Sequence, residues 1–244
     1  MRHAIQWLRS LIFIGLIYGA MLPYGLFYLP WMILSPRGAV AAAHGWCRFV
    51  LWLAPWLIGL RVEVRGQAPV GAVMIAAKHQ SFLDIIMLYA ALPRARFIMK
   101  KELVYAPILG LYALRMGCIP VDRGKRGQAI KKMLADVATG LDEPGQLVIY
   151  PQGTRVAPGA QVKYKIGTGA LYGELGQACV PVACNVGLFW PRHGIYRRPG
   201  LAVIEFLEPI APGLPLPQFM ARLEGAVETR SDALMAEAGF RAAG

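Results

Sequence analysis

Hydrophobic positions crowd the front of the chain. From Ser10 to Pro36 no charged residue interrupts SLIFIGLIYGAMLPYGLFYLPWMILSP, a run longer than the roughly 20 residues a helix needs to cross a bilayer. Pro23, Gly25 and Pro30 punctuate it, and a second apolar run, FVLWLAPWLIGL, follows Arg48 with its own Pro55. Proline inside a helix removes a donor and clashes with the preceding turn. The pattern therefore predicts two broken apolar segments forming a helical hairpin dipped into one leaflet. A kinked transmembrane span is the alternative, because arginines flank the first run at both ends and the positive-inside bias gives no vote. A secretory signal peptide with AVAAA at 39–43 as its cleavage-like site fits less well. Its apolar stretch is normally only about 7–15 residues long.

After Leu60 the pattern changes. RVEVRG alternates apolar and charged side chains and reads as a half-exposed strand opening a globular domain. The expected organisation is an N-terminal membrane-embedded helical segment, residues 1–60, and an α/β domain, residues 61–244. Short apolar runs recur as strand candidates: Val73 to Ala77, Phe97 to Met99, Cys118 to Val121, Leu147 to Tyr150, Val180 to Asn185 and Leu201 to Phe206. Between them, Phe82, Ile85, Ile86 and Tyr89, and then Ala129, Met133, Leu134 and Val137, make apolar stripes at steps of three and four, the period of a helix. A final helix is expected from Leu216 to Ala238, after the proline-rich EPIAPGLPLP. Strand and helix alternate, so the predicted fold class is α/β, with a mixed, largely parallel sheet flanked by helices.

Composition sharpens this picture. The chain is 56% hydrophobic and only 16% charged, with a mean hydropathy of +0.44, more apolar than an ordinary soluble domain. Arg2, Arg9, Arg37 and Arg48 are the only charged residues in the first 60; removing those four leaves 22 Lys and Arg against 14 Asp and Glu in the remainder. A basic domain behind an apolar front calls for an anionic partner, and the front favours lipid over nucleic acid. The basic residues are not interleaved with an aromatic stacking stripe, which also argues against nucleic acid. Cys47, Cys118, Cys179 and Cys184 show no CxxC and no zinc-like spacing, and read as small core residues in a reducing compartment.

In α/β sheets functional groups gather where strands end, and three polar clusters occupy such positions. His79 and Asp84 follow the first predicted strand after RVEVRG. A histidine whose second ring nitrogen binds a carboxylate can take a proton from an alcohol. Five residues of a straight helix place side chains about 140° apart, so His79 must lie before the helix, with Asp84 reaching back. Arg123, with Lys125 and Arg126, follows the strand ending at Val121, and YPQGTR at 150–155 offers a glycine, a hydroxyl and a guanidinium. Taken singly, each cluster also reads as an ordinary solvated turn. The four serines, Ser10, Ser35, Ser81 and Ser231, include no G-x-S-x-G, and HExxH, GxxxxGK[ST] and a helix-opening GxGxxG are all missing.

In order and spacing, KHQSFLD at 78–84, GCIPVDR at 117–123, YPQGTR at 150–155 and VPVACN at 180–185 together resemble the four blocks of the glycerolipid acyltransferase family, over roughly residues 61–210. The resemblance implies transfer of a fatty acyl group from acyl-CoA or acyl carrier protein to the free hydroxyl of a lysolipid such as lysophosphatidic acid. No metal or organic cofactor is implied. His79 would be the general base and Asp84 its orienting partner, while Lys100, Arg123, Gly153, Thr154 and Arg155 would meet the substrate phosphate. The partners implied are a lysolipid, the acyl donor and a membrane, at its cytoplasmic face.

Two residues depart from the family pattern and are candidates for specificity. Lys78 stands where asparagine is usual, and as a cation next to His79 is expected either to disfavour protonation of the imidazole or to add a phosphate contact. Gln152 stands where glutamate is usual, so Gln152→Glu is expected to alter acceptor preference or rate with limited loss of folding. The resemblance leaves two alternatives: acylation of another lysolipid, such as a lyso-ornithine lipid, or a lipid-binding protein without turnover. The expected site is one basic crevice holding His79, Asp84, Arg123 and Arg155, open on the side of the apolar hairpin.

Overall fold

The computed structural model describes residues 2–122, 131, 133–135, 137 and 145–241. Its apolar front forms two helices, α1 (Arg2–Leu34) and α2 (Pro36–Ile58), packed as a hairpin. The break is not at the prolines, as expected, but at Ser35. There the backbone turns extended, the Ser35 hydroxyl accepts from Arg37 N–H at 3.3 Å, and Pro36 occupies the first turn of α2, where a missing N–H costs nothing. Pro23, Pro30 and Pro55 stay inside continuous helices. By length and composition the stretch His3–Leu34 is sufficient to cross a membrane.

A seven-stranded sheet follows in the order β1-β7-β6-β2-β5-β3-β4. Its strands are β1 (Leu60–Arg65), β2 (Val73–Ala77), β3 (Ala95–Lys100), β4 (Ile119–Val121), β5 (Gln146–Ile149), β6 (Cys179–Cys184) and β7 (Gly200–Phe206). Every pairing is parallel except β6 with β7, so β6, β2, β5, β3 and β4 all end at one edge. Strands β2, β5 and β6 are buried along their whole length, which explains why they read as unbroken apolar runs. The α/β class with its mixed, largely parallel sheet is as expected, and each predicted strand lies within two residues of an observed one.

Alternation along the strands divides the core. Val73, Ile75 and Ala77 face α1, α2 and α3 (Leu83–Ala91), whereas Met74 and Ala76 face Met133, Val137, α5 (Ile166–Leu175) and α6 (Leu216–Glu237). Of the predicted 129–137 stripe, Ala129 lies outside the described residues, while Met133 and Val137 are buried. Helices α4 (Leu109–Arg115) and α5 were not foreseen. Three glycines in IGTGALYGEL lower helix propensity, but Gly169 lets α6 approach closely, since a Cβ there would stand 2.5 Å from Leu216 Cδ1.

The hairpin is part of this packing. Phe13 and Ile17 of α1 are fully buried in the same cluster as Trp46, Phe97 and Trp190. Ser10 Oγ accepts from Arg197 N–H at 2.9 Å, and Gln6 Nε2 donates to the carbonyls of Ile58 and Arg197. The four cysteines are buried as free thiols, and burial pushes that of Cys179 up to about 12.

Candidate functional site

β2 delivers His79 to the sheet edge two residues past Ala77, and α3 begins at Leu83. Within this short reach the Asp84 side chain turns back: Oδ1 stands 2.9 Å from His79 Nδ1, and Oδ2 accepts from Gln80 N–H at 2.9 Å and Ser81 N–H at 2.8 Å. Asp84 is 1% exposed. Its carboxylate ties down the entry to α3 as well as the imidazole. A carboxylate oxygen accepts, so in the neutral imidazole Nδ1 carries the ring proton and Nε2 keeps its lone pair. The Tyr150 ring stacks on the imidazole with centroids 3.9 Å apart and planes 19° from parallel. Burial first, and then the charge of Asp84, holds the Tyr150 phenol well above its ordinary range.

The loop after β5 binds the His79 peptide from both sides. Val156 N–H donates to the His79 carbonyl at 2.7 Å, and Gln152 Oε1 accepts from His79 N–H at 3.4 Å. Gly153, at φ +69°, turns the chain between them, a conformation that a Cβ disfavours. Thr154 and Arg155 are half-buried on the same turn, with Arg155 Nη1 donating to the Arg192 carbonyl at 3.3 Å. Lys100, at the end of β3, is exposed and paired with Glu102 at 3.3 Å. Two strand spacings, about 10 Å, separate β3 from β2. Arg123, with Lys125 and Arg126, lies outside the described residues. Thus His79, Asp84 and the 150–156 loop come together at the ends of β2 and β5, and Lys100 stands further along that edge.

Lys78 and Gln152 do not sit as the sequence leads one to expect. Alternation turns Lys78 away from the imidazole, to the α6 side of the sheet, where it is 3% exposed and bonds Glu228. Gln152, 1% exposed, donates to Glu228 Oε1 at 3.0 Å. A glutamate at 152 would therefore face a second carboxylate. Gln152→Glu is expected to destabilise the fold by roughly 2–4 kcal/mol rather than leave it nearly intact, and adding Glu228→Gln should restore most of the loss; thermal unfolding of both variants measures this.

Tyr150 and Glu228 escaped the sequence reading. Tyr150 had a signal, as the residue opening the third motif. Glu228 had none, lying 150 residues from Lys78 on an ordinary amphipathic helix. An apolar cavity of about 100 Å³ lies between the hairpin, α3 and α4, with Trp46, Phe82, Tyr89 and Ile108 in its wall.

Known proteins resemble this chain in sequence and in fold. The family model described as Acyltransferase matches residues 61–185. A 1-acyl-sn-glycerol-3-phosphate acyltransferase of Pseudomonas aeruginosa is 29% identical over 201 residues, covering 80% of this chain and 78% of the relative. The 1-acyl-sn-glycerol-3-phosphate acyltransferase alpha of Mus musculus is 29% identical over 170 residues, covering 67% of this chain but 60% of the relative. The crystal structure of the 1-acyl-sn-glycerophosphate (LPA) acyltransferase PlsC from Thermotoga maritima superposes with a TM-score of 0.79 at 19% identity. The match covers 97% of this chain and 100% of that one, a likeness of fold.

Proposed function

The chain belongs to the Acyltransferase family, whose model spans half of it, and from that premise we propose that it is a 1-acylglycerol-3-phosphate O-acyltransferase. It transfers a fatty acyl group from acyl-CoA or acyl carrier protein to lysophosphatidic acid, giving phosphatidic acid. The observation that carries this reading is the His79 Nδ1–Asp84 Oδ1 bond at the ends of parallel strands, with the 150–156 loop bonded to the same histidine. In the proposed reaction His79 Nε2 takes the proton of the acceptor hydroxyl as its oxygen attacks the thioester carbonyl. The tetrahedral intermediate then collapses, the C–S bond breaks, and the departing thiolate receives that proton from the imidazolium. Asp84 holds the tautomer. Gly153, Thr154 and Arg155, with Lys100 and Arg123, are assigned to the phosphate of the acceptor, where a guanidinium can fork onto two oxygens. The apolar lining of the cavity between the hairpin, α3 and α4 suits part of the fatty chain.

The hairpin, residues 1–60, is assigned to one leaflet of the membrane, at its cytoplasmic face, in front of an acyltransferase domain formed by the remainder. One flank of α1 is committed to the protein core, while Leu26, Phe27, Ile33 and Leu34 of α1 and Trp52 and Trp56 of α2 are exposed. Leu103, Tyr105, Leu111 and Leu114 add further exposed apolar surface around α4. Arg115 Nε and Nη2 bind the carbonyls of Met32 and Ile33, so α4 is tied to the end of α1. Burying a large apolar side chain is worth roughly 1.5–3 kcal/mol. Phe27→Ser with Leu34→Ser is therefore expected to lower partitioning into anionic vesicles at least about tenfold, as measured by flotation.

A panel of lysolipids, each offered with both donors, tests the acceptor. Turnover on lysophosphatidic acid above the others is the expected outcome. Turnover confined to a lyso-ornithine lipid would transfer the assignment to that head group, and silence throughout would leave lipid binding without catalysis.

A further inference from the structure

We propose that Glu228, on α6, is a positioning residue of this reaction: it holds the Gln152 amide, and through that amide the His79 peptide and the Gly153 turn. The inference rests on the acyl-transfer reading above.

The Glu228 carboxylate accepts three hydrogen bonds, from Lys78 Nζ, from Gln152 Nε2 at 3.0 Å and from Tyr164 Oη at 2.9 Å. Burial first, and then Glu228 itself, pushes the Tyr164 phenol far above its ordinary range, so it remains a donor. A carboxylate can only accept and a peptide N–H can only donate. The Gln152 amide therefore has one orientation, its NH₂ toward Glu228 and its oxygen toward His79 N–H.

That oxygen and Val156 N–H grip the two ends of the His79 residue. Glu228 thus lies one side chain behind the imidazole, on the opposite face of the sheet. Its placement is not explained by stability alone, since Lys78 is buried and Glu228 half-buried, and an ion pair drawn that far out of water can commonly be replaced by apolar residues at little cost. The partnership is also specific to this combination of side chains. Lys78 neutralises Glu228, and glutamine at 152 can donate to it where glutamate would repel it. What the sequence presents as two separate departures from the family pattern is, in space, one matched set of three.

The test begins with Lys78→Met, Tyr164→Phe and Glu228→Leu combined, which removes the carboxylate without stranding the lysine or the phenol. The variant leaves the buried Gln152 NH₂ without its acceptor, so the unfolding temperature should fall by several degrees while the fold is kept. Measured per folded molecule, kcat should fall about tenfold with both KM values within about threefold, the pattern of a misplaced group rather than a lost binding contact. Gln152→Met should give the same loss, and adding it to the triple variant should lower kcat no further, because both act through one hydrogen bond. Amide exchange at His79, Gly153 and Val156 should quicken in all of these variants. Glu228→Gln, which keeps the shape, is the second probe if the triple variant does not fold, with kcat expected to fall at least about threefold.

A kcat within about twofold of the parent with unchanged exchange would overturn the proposal, as would losses that multiply to about a hundredfold. Lower unfolding temperature with normal kcat per folded molecule would make Glu228 a stabilising residue only. If the parent turns over no lysolipid at all, the acyl-transfer reading fails, while the exchange rates still decide whether Glu228 holds the loop.

Discussion

Replacing Asp84 by asparagine is expected to lower kcat by about 10³–10⁴, the scale on which the wrong imidazole tautomer disables a histidine base. Asp84 Oδ2 accepts from Gln80 and Ser81 N–H, so the asparagine oxygen will take that position and its NH₂ will face His79 Nδ1. An NH₂ can only donate, which forces Nδ1 to accept and moves the ring proton to Nε2. The nitrogen that should receive the substrate proton then already carries one. Because both hydrogen bonds from the Gln80 and Ser81 N–H groups at the entry to α3 are kept, stability should change by only about 1 kcal/mol. Steady-state kinetics beside thermal unfolding checks this; Asp84→Asn with near-normal kcat would mean that the carboxylate serves the fold alone.

Removing the imidazole should have an effect of the same order. His79→Ala takes away the base, a loss of about 10²–10⁴, but not the loop. Gln152 and Val156 bind the His79 peptide rather than its side chain. KM for donor and acceptor is therefore expected to stay within about threefold, because the proton transfer is made only on the way to the transition state. Kinetics with both substrates varied will show this. A large rise in acceptor KM at unchanged kcat would reassign His79 to substrate binding.

The strands were legible because β2, β5 and β6 are buried on both faces and cannot accept a charge. The helix after His79 was legible from its apolar stripe. The hairpin was legible as apolar, but its turn was not: three prolines looked like breaks, yet packing of α1 on α2 and on the domain kept the helices continuous, and a single serine–proline pair made the corner. Helix α5 was hidden by three glycines, of which Gly169 serves close contact with α6, a tertiary matter.

At the site, the juxtaposition of His79 and Asp84 followed from local spacing, and the strand-end rule placed the third motif beside them. Lys78 was misjudged because a neighbour in sequence points to the opposite face of a strand. Glu228 was invisible because its meaning comes only from Lys78, Gln152 and Tyr164 meeting it across the sheet.

The most direct test of the account follows labelled acyl groups from a long-chain acyl-CoA, and in parallel from acyl carrier protein, to lysophosphatidic acid on vesicles carrying the full chain or its His79→Ala variant. Labelled phosphatidic acid is expected from the parent, with a loss of about 10²–10⁴ in its rate of formation with the variant. Equal rates from both proteins would contradict His79 as the base, and no phosphatidic acid from either donor would contradict the assignment of this substrate.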